Sequence, residues 1–364
     1  MRKVQIEAES KDYFVYIEPG IRHLIGDKIK NVMTEPVSSV LVITDSHVAP
    51  LYLNDVVESF DNQLPVYTEV IKCGEASKSL AVYDQVLTEA LSSSLDRKSL
   101  IVALGGGVVG DLAGFVAATY MRGIRFIQVP TTLLAHDSSV GGKVAINHPL
   151  GKNMVGCFHQ PEAVFYDTEA LYSMPVREWR SGFAEVIKHG FIHDHTFLNN
   201  LQELNGIEQL PVEKLGEILE TSIRVKAKIV KEDEKENGVR AFLNFGHTLG
   251  HALEAELGYG VLTHGEAVVV GMIFSLRVSE EMYQIDLQVK EFEKWLNDLG
   301  FQTEIPPDCE PDLLLAKMRQ DKKAEAGSIR MVLLKKIGEA ALIDIPPTLV
   351  KQLLVERMGV EKIG

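Results

Sequence analysis

The chain has 364 residues, of which 46% are hydrophobic and 24% charged, and its formal net charge is −14 at pH 7. This length exceeds that at which a single hydrophobic core stops growing, so we expect two domains. The negative charge argues against nucleic-acid binding, which requires a dominant basic face. It is compatible with a small anionic substrate, because a few lysines can make a site locally positive.

Cysteine usage and hydropathy predict a cytoplasmic protein. Cys73, Cys157 and Cys309 are few and scattered, and form neither a disulfide framework nor a CxxC metal motif. Residues 1–7 lack the apolar segment of a signal peptide. The most apolar run, residues 267–276, is too short to span a bilayer. We therefore expect no membrane partner.

The first half of the chain alternates between predicted strands and helices. Apolar runs rich in β-branched residues predict strands at residues 40–44, 66–71, 100–104 and 126–129. Residues 79–91 have helical spacing. Strands separated by helices predict a parallel sheet with helices on its faces.

Helical periodicity dominates after about residue 171. The predicted helices are 176–189, 212–231, 242–257, 266–283 and 288–299. A late hairpin is predicted from the strand-like residues 329–334 and 341–343. The charged run 231–238 is interpreted as a solvated helix end and loop.

The change in pattern near residues 170–175 predicts a domain boundary. We expect an α/β domain at residues 1–172 and a mainly helical domain at residues 173–364. The sequence shows neither an internal repeat nor a low-complexity segment.

Three consecutive glycines, Gly105, Gly106 and Gly107, directly follow a predicted strand. Glycine lets the backbone turn tightly and approach a ligand, and the following helix start offers free N–H groups to a phosphate. The segment is not GxGxxG, so a close-packed strand–helix turn is the alternative to a pyrophosphate site. Residues 129–132 and Asp45 would close the same crevice at the carboxyl ends of the strands.

A second group of residues has the chemistry of a metal site. His247 and His251 are one helical turn apart and share a helix face. Glu185, with Lys188 at helical spacing, and His264 would complete three ligands with whichever of the pair points correctly. Zinc accepts these donors, and a catalytic zinc keeps a position open for substrate. The alternative is hydrogen-bonded histidines without a metal. A metal and a dinucleotide together predict redox chemistry on a hydroxyl carbon.

Cations in glycine-punctuated loops suit anion binding. Arg122, Lys143 and Lys152 lie in such loops, and Lys322 and Lys323 form a further basic pair. Lysine binds phosphate or carboxylate as a point charge and arginine as a bidentate fork. The alternative for each one alone is a solvated surface charge.

A series of short motifs occurs in a fixed order along the chain. They are Gly74-Glu75 with Lys78, GGGVVGD at 105–111, YMRG at 120–123, PTTLLA at 130–135, DSSVGGK at 137–143, PLGKN at 149–153, AEVIK at 184–188, NFGHTLGH at 244–251 and HGE at 264–266. With these motifs the chain resembles the 3-dehydroquinate synthase family over nearly its whole length. The resemblance implies an N-terminal NAD-binding α/β domain with a parallel sheet, a mainly α-helical C-terminal metal-binding domain, and a cleft between them.

The resemblance also implies an activity. The expected substrate, a small anionic phosphosugar acid, is 3-deoxy-D-arabino-heptulosonate 7-phosphate, which would be converted to 3-dehydroquinate and phosphate in the shikimate pathway of aromatic amino acid biosynthesis. Transient oxidation by NAD, β-elimination, reduction, ring opening and aldol closure would make the enzyme a lyase. The implied cofactors are NAD and Zn²⁺ or Co²⁺, and the implied assembly is a homodimer.

Residue by residue, the resemblance implies that Glu185, His247 and His264 bind the metal, and that His251 contacts the substrate. The residues implied for catalysis are His251, Lys143, Lys188, Asn244, Asp137 and Glu266. Those implied for substrate binding are Arg122, Lys152, Asn153, Lys226, Arg240 and one of Lys322 or Lys323. In the family, the arginine that corresponds to Arg122 can come from a neighbouring subunit. Those implied to line NAD are Asp45, Gly74, Glu75, Lys78, Gly106, Gly107, Val108, Val109, Gly110, Asp111, Thr131, Thr132, Lys143, Lys152 and Ser173.

The sequence departs from the family pattern in three places. Residues 134–137 are one residue shorter, Cys73 replaces an acid, and Ser173 stands where threonine is frequent. The rival functions are another sugar-phosphate cyclase, a metal-dependent polyol or glycerol dehydrogenase, and a catalytically inactive scaffold. Arg240 and Lys226 favour a carboxylated substrate, and the expected phosphate-binding cations argue against a simple dehydrogenase.

Overall fold

The computed structural model describes residues 1–208, 210–258, 260–320 and 328–359. Its strands in chain order are β1 (Arg2–Ile6), β2 (Tyr13–Ile17), β3 (Val40–Asp45), β4 (Val66–Ile71), β5 (Leu100–Gly105), β6 (Arg125–Pro130), β7 (Lys143–His148), β8 (Gly151–Phe158), β9 (Ala163–Tyr166), β10 (Ile329–Lys336) and β11 (Glu339–Ile345). Its helices are α1 (Ile25–Val32), α2 (Asn54–Glu58), α3 (Leu80–Ser92), α4 (Gly107–Thr119), α5 (Ala135–Ser138), α6 (Val176–His193), α7 (His195–Gln202), α8 (Val212–Glu232), α9 (His247–Leu257), α10 (His264–Tyr283), α11 (Val289–Asp298), α12 (Pro311–Gln320) and α13 (Pro347–Met358). None of the helices within these ranges is both long and apolar enough to cross a membrane.

Two compact units divide the chain. The first contains Met1–Pro175 and Gln209–Lys235, and the second contains Val176–Glu208 and Glu236–Gly364. Helix α8 belongs to the first unit because it packs on β1, where Arg2 forms ion pairs with two of its glutamates. The expected domains at residues 1–172 and 173–364 stay a prediction. The first compact unit differs from the first expected domain mainly because it includes α8.

The first unit is built on a seven-stranded sheet. Its strand order is β1-β2-β9-β6-β5-β3-β4. All neighbouring strands are parallel except β1 and β2. The prediction of a parallel sheet is therefore wrong for this one edge pair. The short connection between β1 and β2 permits only antiparallel pairing. Strands β7 and β8 form a separate antiparallel hairpin.

The central strands are buried on both faces, which explains their continuous apolar sequences. In β3, Val40 and Val42 pack into one apolar cluster, and Leu41 and Ile43 pack into the cluster on the opposite face. Strand β5 alternates between the same clusters. Burial of this kind contributes about 25 cal/mol per Å² of apolar surface. The four strands predicted in this half are confirmed at β3, β4, β5 and β6.

The second unit is mainly helical and ends in the predicted hairpin of β10 and β11. Helix α10 packs on both α6 and α9. The approach to α6 requires glycine at position 265, since a Cβ there would lie 2.1 Å from the carbonyl oxygen of Ser181. This close packing brings the first turn of α10 next to the middle of α6.

Two predicted helices begin at other residues than expected. The helix predicted from 242 begins at His247. A 3₁₀ turn comes first, and the left-handed φ of 82° at Gly246 separates that turn from the α-helix. The helix predicted from 266 begins at His264, because Thr263 and Glu266 form a capping box there. Each start places a histidine at the first position of a helix.

The charged run at 231–238 was interpreted as a solvated helix end and loop. That interpretation is wrong for one residue of the run, Glu234. The Glu234 side chain is buried, and its carboxylate accepts hydrogen bonds from the Ser10 N–H at 2.9 Å, the Gln160 amide at 2.8 Å and the Ser10 hydroxyl. Burial raises the pKa of Glu234, but these hydrogen bonds outweigh it and the net pKa is lowered. Three donors compensate for the burial of this charge.

Candidate metal and cofactor sites

Three side chains of the second unit converge on one point. Glu185 projects from α6, and His247 and His264 from the first positions of α9 and α10. The Glu185 Oε1 atom lies 3.7 Å from the Nε2 atom of each histidine. Two ligand atoms bound about 2.1 Å from a tetrahedral zinc ion are roughly 3.4 Å apart. One carboxylate oxygen and two imidazole nitrogens at this spacing fit a catalytic zinc or cobalt ion.

The imidazole of His247 is in the state that binds metal. Burial, reinforced by the nearby ammonium of Lys188, lowers the pKa of His247 well below its usual value, so the ring is neutral near pH 7. Its Nδ1 lies 3.3 Å from the carbonyl oxygen of Phe245 and can donate a hydrogen bond to it. With the proton on Nδ1, the lone pair is on Nε2, the atom that lies 3.7 Å from Glu185 Oε1.

Lys188 forms an ion pair with Glu185 inside the second unit. Both side chains are only 1% exposed, and the Lys188 ammonium donates to the Oε2 atom of Glu185. The other oxygen, Oε1, faces the two histidines. The two residues are three positions apart, so one face of α6 presents both the carboxylate and its cationic partner.

His251 stands beside these three residues. Its ring centroid is 5.2 Å from that of His247 and 6.0 Å from that of His264. The side chain is exposed. The structure thus brings His251 next to the convergent group while Glu185 faces the other two histidines.

Other second-unit residues expected in the site have different surroundings. Arg240 is fully buried in the 3₁₀ turn before α9. Asn244 is exposed and donates to Glu236 at 3.1 Å. The carboxylate of Glu266 accepts hydrogen bonds from the Thr263 N–H at 2.6 Å and from Arg177 at 2.9 Å. Glu266 therefore stabilises the start of α10, and its expected catalytic role stays a prediction.

Glu254 was missed by the sequence analysis. Its carboxylate lies 3.3 Å from Nδ1 of His264. Glu254 follows His247 by seven positions and His251 by three, which places all three on one helix face. That periodicity was the signal available in the sequence.

The glycine turn of the first unit has the features of a phosphate cradle. Gly106 caps α4 and Gly107 is its first residue, with Val108, Val109, Gly110 and Asp111 following in the helix. A Cβ on Gly106 would lie only 2.9 Å from Thr132. The buried hydroxyls of Thr131 and Thr132 have no hydrogen-bond partner within the part of the chain that the structure describes. Free hydroxyls beside a helix N-terminus fit the polar groups of a dinucleotide.

A polar network connects this helix to the β7–β8 hairpin. The Lys78 ammonium contacts Asp111 Oδ2 at 2.6 Å and donates to Asn153. Asn147 donates to Glu75 at 2.7 Å and accepts from the Asn153 N–H at 2.8 Å. Burial raises the pKa of Asp111, against the opposing effect of Lys78. Four of these residues, Glu75, Lys78, Asp111 and Asn153, were expected at the cofactor or substrate. Asn147, which no sequence signal indicated, connects Glu75 to Asn153.

The remaining residues expected at the cofactor lie at element ends. Asp45 ends β3, and its carboxylate accepts from the N–H groups of His47 and Val48. Gly74 precedes a 3₁₀ turn. The Ser173 hydroxyl donates to the carbonyl of Ala170 at 2.9 Å.

The expected anion-binding cations are distributed differently from the prediction. Lys143 begins β7 and Lys152 lies in β8, so both are exposed strand residues and not loop residues. Arg122 is exposed in the 3₁₀ turn after α4. Lys226 of α8 is buried and its ammonium lies 3.0 Å from Asp137 Oδ1. Lys322 and Lys323 lie outside the described residues.

Comparison with known proteins is consistent with this arrangement. A solved 2-deoxy-scyllo-inosose synthase, complexed with carbaglucose-6-phosphate, NAD⁺ and Co²⁺, is 28% identical with a TM-score of 0.88, covering 98% of this chain and 100% of the other. The fold is therefore that of the sugar-phosphate cyclases, and the predicted fold class is confirmed.

Two family models and close relatives narrow the class further. Residues 68–181 match the 3-dehydroquinate synthase N-terminal model and residues 182–324 the C-terminal model. The 3-dehydroquinate synthase of Halalkalibacterium halodurans is 53% identical over 355 residues, 97% of this chain and 98% of the relative. That of Geobacillus thermodenitrificans is 54% identical over 347 residues, 95% of each chain. The chain belongs to the 3-dehydroquinate synthase family, as its motifs predicted.

Proposed function

We propose that the chain converts 3-deoxy-D-arabino-heptulosonate 7-phosphate to 3-dehydroquinate and phosphate, as a carbon–oxygen lyase that uses NAD and a divalent metal. The observation that carries this proposal is the convergence of Glu185, His247 and His264. The inosose synthase with a related fold holds NAD⁺ and Co²⁺, which supports the same pair of cofactors here. The homodimer and the neighbouring subunit's contribution of an arginine at position 122 stay predictions.

The cofactors would supply the steps that side chains cannot perform. When bound, the metal polarises a substrate hydroxyl, and NAD accepts and returns a hydride. Glu185, His247 and His264 would hold the metal, and the Gly106–Asp111 turn with Thr131 and Thr132 would hold NAD.

The chain's own residues would bind and orient the substrate. Lys226 and the buried Arg240 supply cationic groups suited to a carboxylate. Exposed His251, beside the metal ligands, is placed to exchange a proton with a substrate hydroxyl. Holding one flexible intermediate through successive steps is an orientation task, and it accounts for the number of polar groups involved.

The test supplies purified protein with the heptulosonate phosphate and follows inorganic phosphate together with NADH absorbance. We expect one phosphate per substrate and no lasting NADH, because the hydride is returned. Lasting NADH without phosphate would indicate a polyol dehydrogenase. Turnover of a hexose 6-phosphate, with none of the heptulosonate, would indicate another cyclase.

A metal-free arm of the same assay tests the metal site. Removal of metal by a chelator should stop phosphate release, and added Zn²⁺ or Co²⁺ should restore it. Phosphate release that continues after complete removal of metal would contradict the site.

We predict that Lys152→Ala weakens substrate binding more than NAD binding. Loss of a charge-assisted hydrogen bond to phosphate costs about 1.5–3 kcal/mol, or roughly 10- to 100-fold in KM for the sugar phosphate. Steady-state kinetics and NAD titration measure the two effects, with Lys98→Ala as control because Lys98 is an exposed lysine before β5. Equal losses for substrate and NAD would argue against the phosphate role.

A further inference from the structure

Glu254 is a buried carboxylate adjacent to the proposed metal ligands. It lies in the last two turns of α9 and is 7% exposed. Its Oε2 atom is 3.3 Å from Nδ1 of His264. The Nε2 atom of the same ring faces Glu185 at 3.7 Å. The His264 imidazole thus has a carboxylate near each of its two nitrogens. The proposed metal lies on the Glu185 side, so the two nitrogens have different roles.

The two ring nitrogens cannot play the same part. A neutral imidazole carries one proton, and the nitrogen that binds a metal must offer its lone pair. If Nε2 binds the metal, Nδ1 carries the proton and donates to an acceptor. Glu254 is that acceptor for His264, as the Phe245 carbonyl is for His247.

His264 depends more on such a partner than the other ligands do. Side-chain exposure rises from 1% for Glu185 to 12% for His247 and 26% for His264. Packing therefore restrains the His264 ring least. A hydrogen bond at Nδ1 fixes both the rotation of the ring and the tautomer that presents Nε2.

We propose that Glu254 is a positioning residue of the metal centre, which holds the His264 ring with Nε2 directed at the metal. This role rests on the proposed metal site. Glu254 would itself touch neither substrate nor metal. The competing role is that of a ligand, because oxygen and nitrogen atoms of Glu254, His251 and His264 also lie within 4.8 Å of one another.

The experiment compares Glu254→Ala and Glu254→Gln with the wild-type chain. The control is Glu256→Ala, which removes a glutamate from the same helix that pairs with Lys317, 3.3 Å away. Zinc affinity is measured on the apo-proteins by competition with a chromophoric chelator. The visible absorption of the Co²⁺-loaded proteins reports ligand geometry, and metal content reports stoichiometry.

We expect Glu254→Ala to weaken zinc binding by about 10- to 100-fold and to alter the cobalt spectrum. Glu254→Gln should fall between Glu254→Ala and wild type, because its amide oxygen still accepts a hydrogen bond but carries no charge. Glu256→Ala should bind zinc as wild type does. If Glu254→Ala fails to fold, the glutamine variant decides the question by the same readouts.

Two results would overturn the positioning role while leaving the metal site in place. One is a zinc affinity of both Glu254 variants equal to that of Glu256→Ala. The other is two metal ions per wild-type chain and one in the variants, which would make Glu254 a ligand. A wild-type chain that binds neither zinc nor cobalt would instead overturn the proposed metal site itself.

Discussion

Replacement of His264 by alanine should lower the rate of phosphate release by about a thousandfold. The substitution removes one of three ligands, and polarisation by a bound metal contributes several kcal/mol to the stabilisation of the transition state. NAD affinity should change little, because the residues proposed to bind NAD belong to the first unit and His264 to the second. The expected signature is loss of metal and activity with retained cofactor binding.

Three measurements on one preparation separate these effects: metal content, NAD titration and phosphate release. His195→Ala is the matched control, because His195 begins another helix of the second unit and is exposed. A His264→Ala protein that keeps a full complement of metal and its activity would remove His264 from the ligand set. Loss of NAD binding in parallel with metal would point to general unfolding.

Strands that are buried on both faces could be predicted from the sequence. Strand β5 is a continuous apolar run because both of its faces are covered, so its position followed from the sequence. Strand β1, at the sheet edge, has only two apolar residues, Val4 and Ile6, and β9 has only four residues in all. Their pairing depends on distant strands, which a local pattern does not encode. The β7–β8 hairpin was taken for loops because its glycines and exposed polar residues hide the alternation.

The candidate site was predictable in its chemistry but not in its geometry. Spacing alone left His247 and His251 as equivalent ligands, since both lie on one helix face. The structure turns His247 toward Glu185, because Gly246 ends the preceding turn and α9 starts at that histidine. Glu254 shares a helix face with both of these histidines, but its contact with His264 joins two helices and could be established only from coordinates.

Replacement of Lys188 by methionine should destabilise the metal-free protein by about 3–5 kcal/mol. Methionine fills similar space but leaves the buried carboxylate of Glu185 without its cationic partner, and breaking one side of a buried ion pair carries a cost of this size. Saturating zinc should reduce the loss, because a divalent cation beside Oε1 supplies positive charge to the same carboxylate. The difference between the two states is the informative quantity.

Urea unfolding followed by circular dichroism, with chelator and with saturating zinc, measures both losses. Lys336→Met is the matched control, because Lys336 and Glu339 also form an i,i+3 pair, but with side chains that are 75% and 49% exposed. Such a surface pair contributes at most about 1 kcal/mol.

Adding Glu185→Gln to Lys188→Met should recover part of the metal-free stability, since no buried charge is then left unpaired. A loss no larger than that of the control would show that the ion pair is not important for stability. An equal loss with and without zinc would place the metal away from Glu185, because only a cation at that carboxylate can substitute for the missing ammonium.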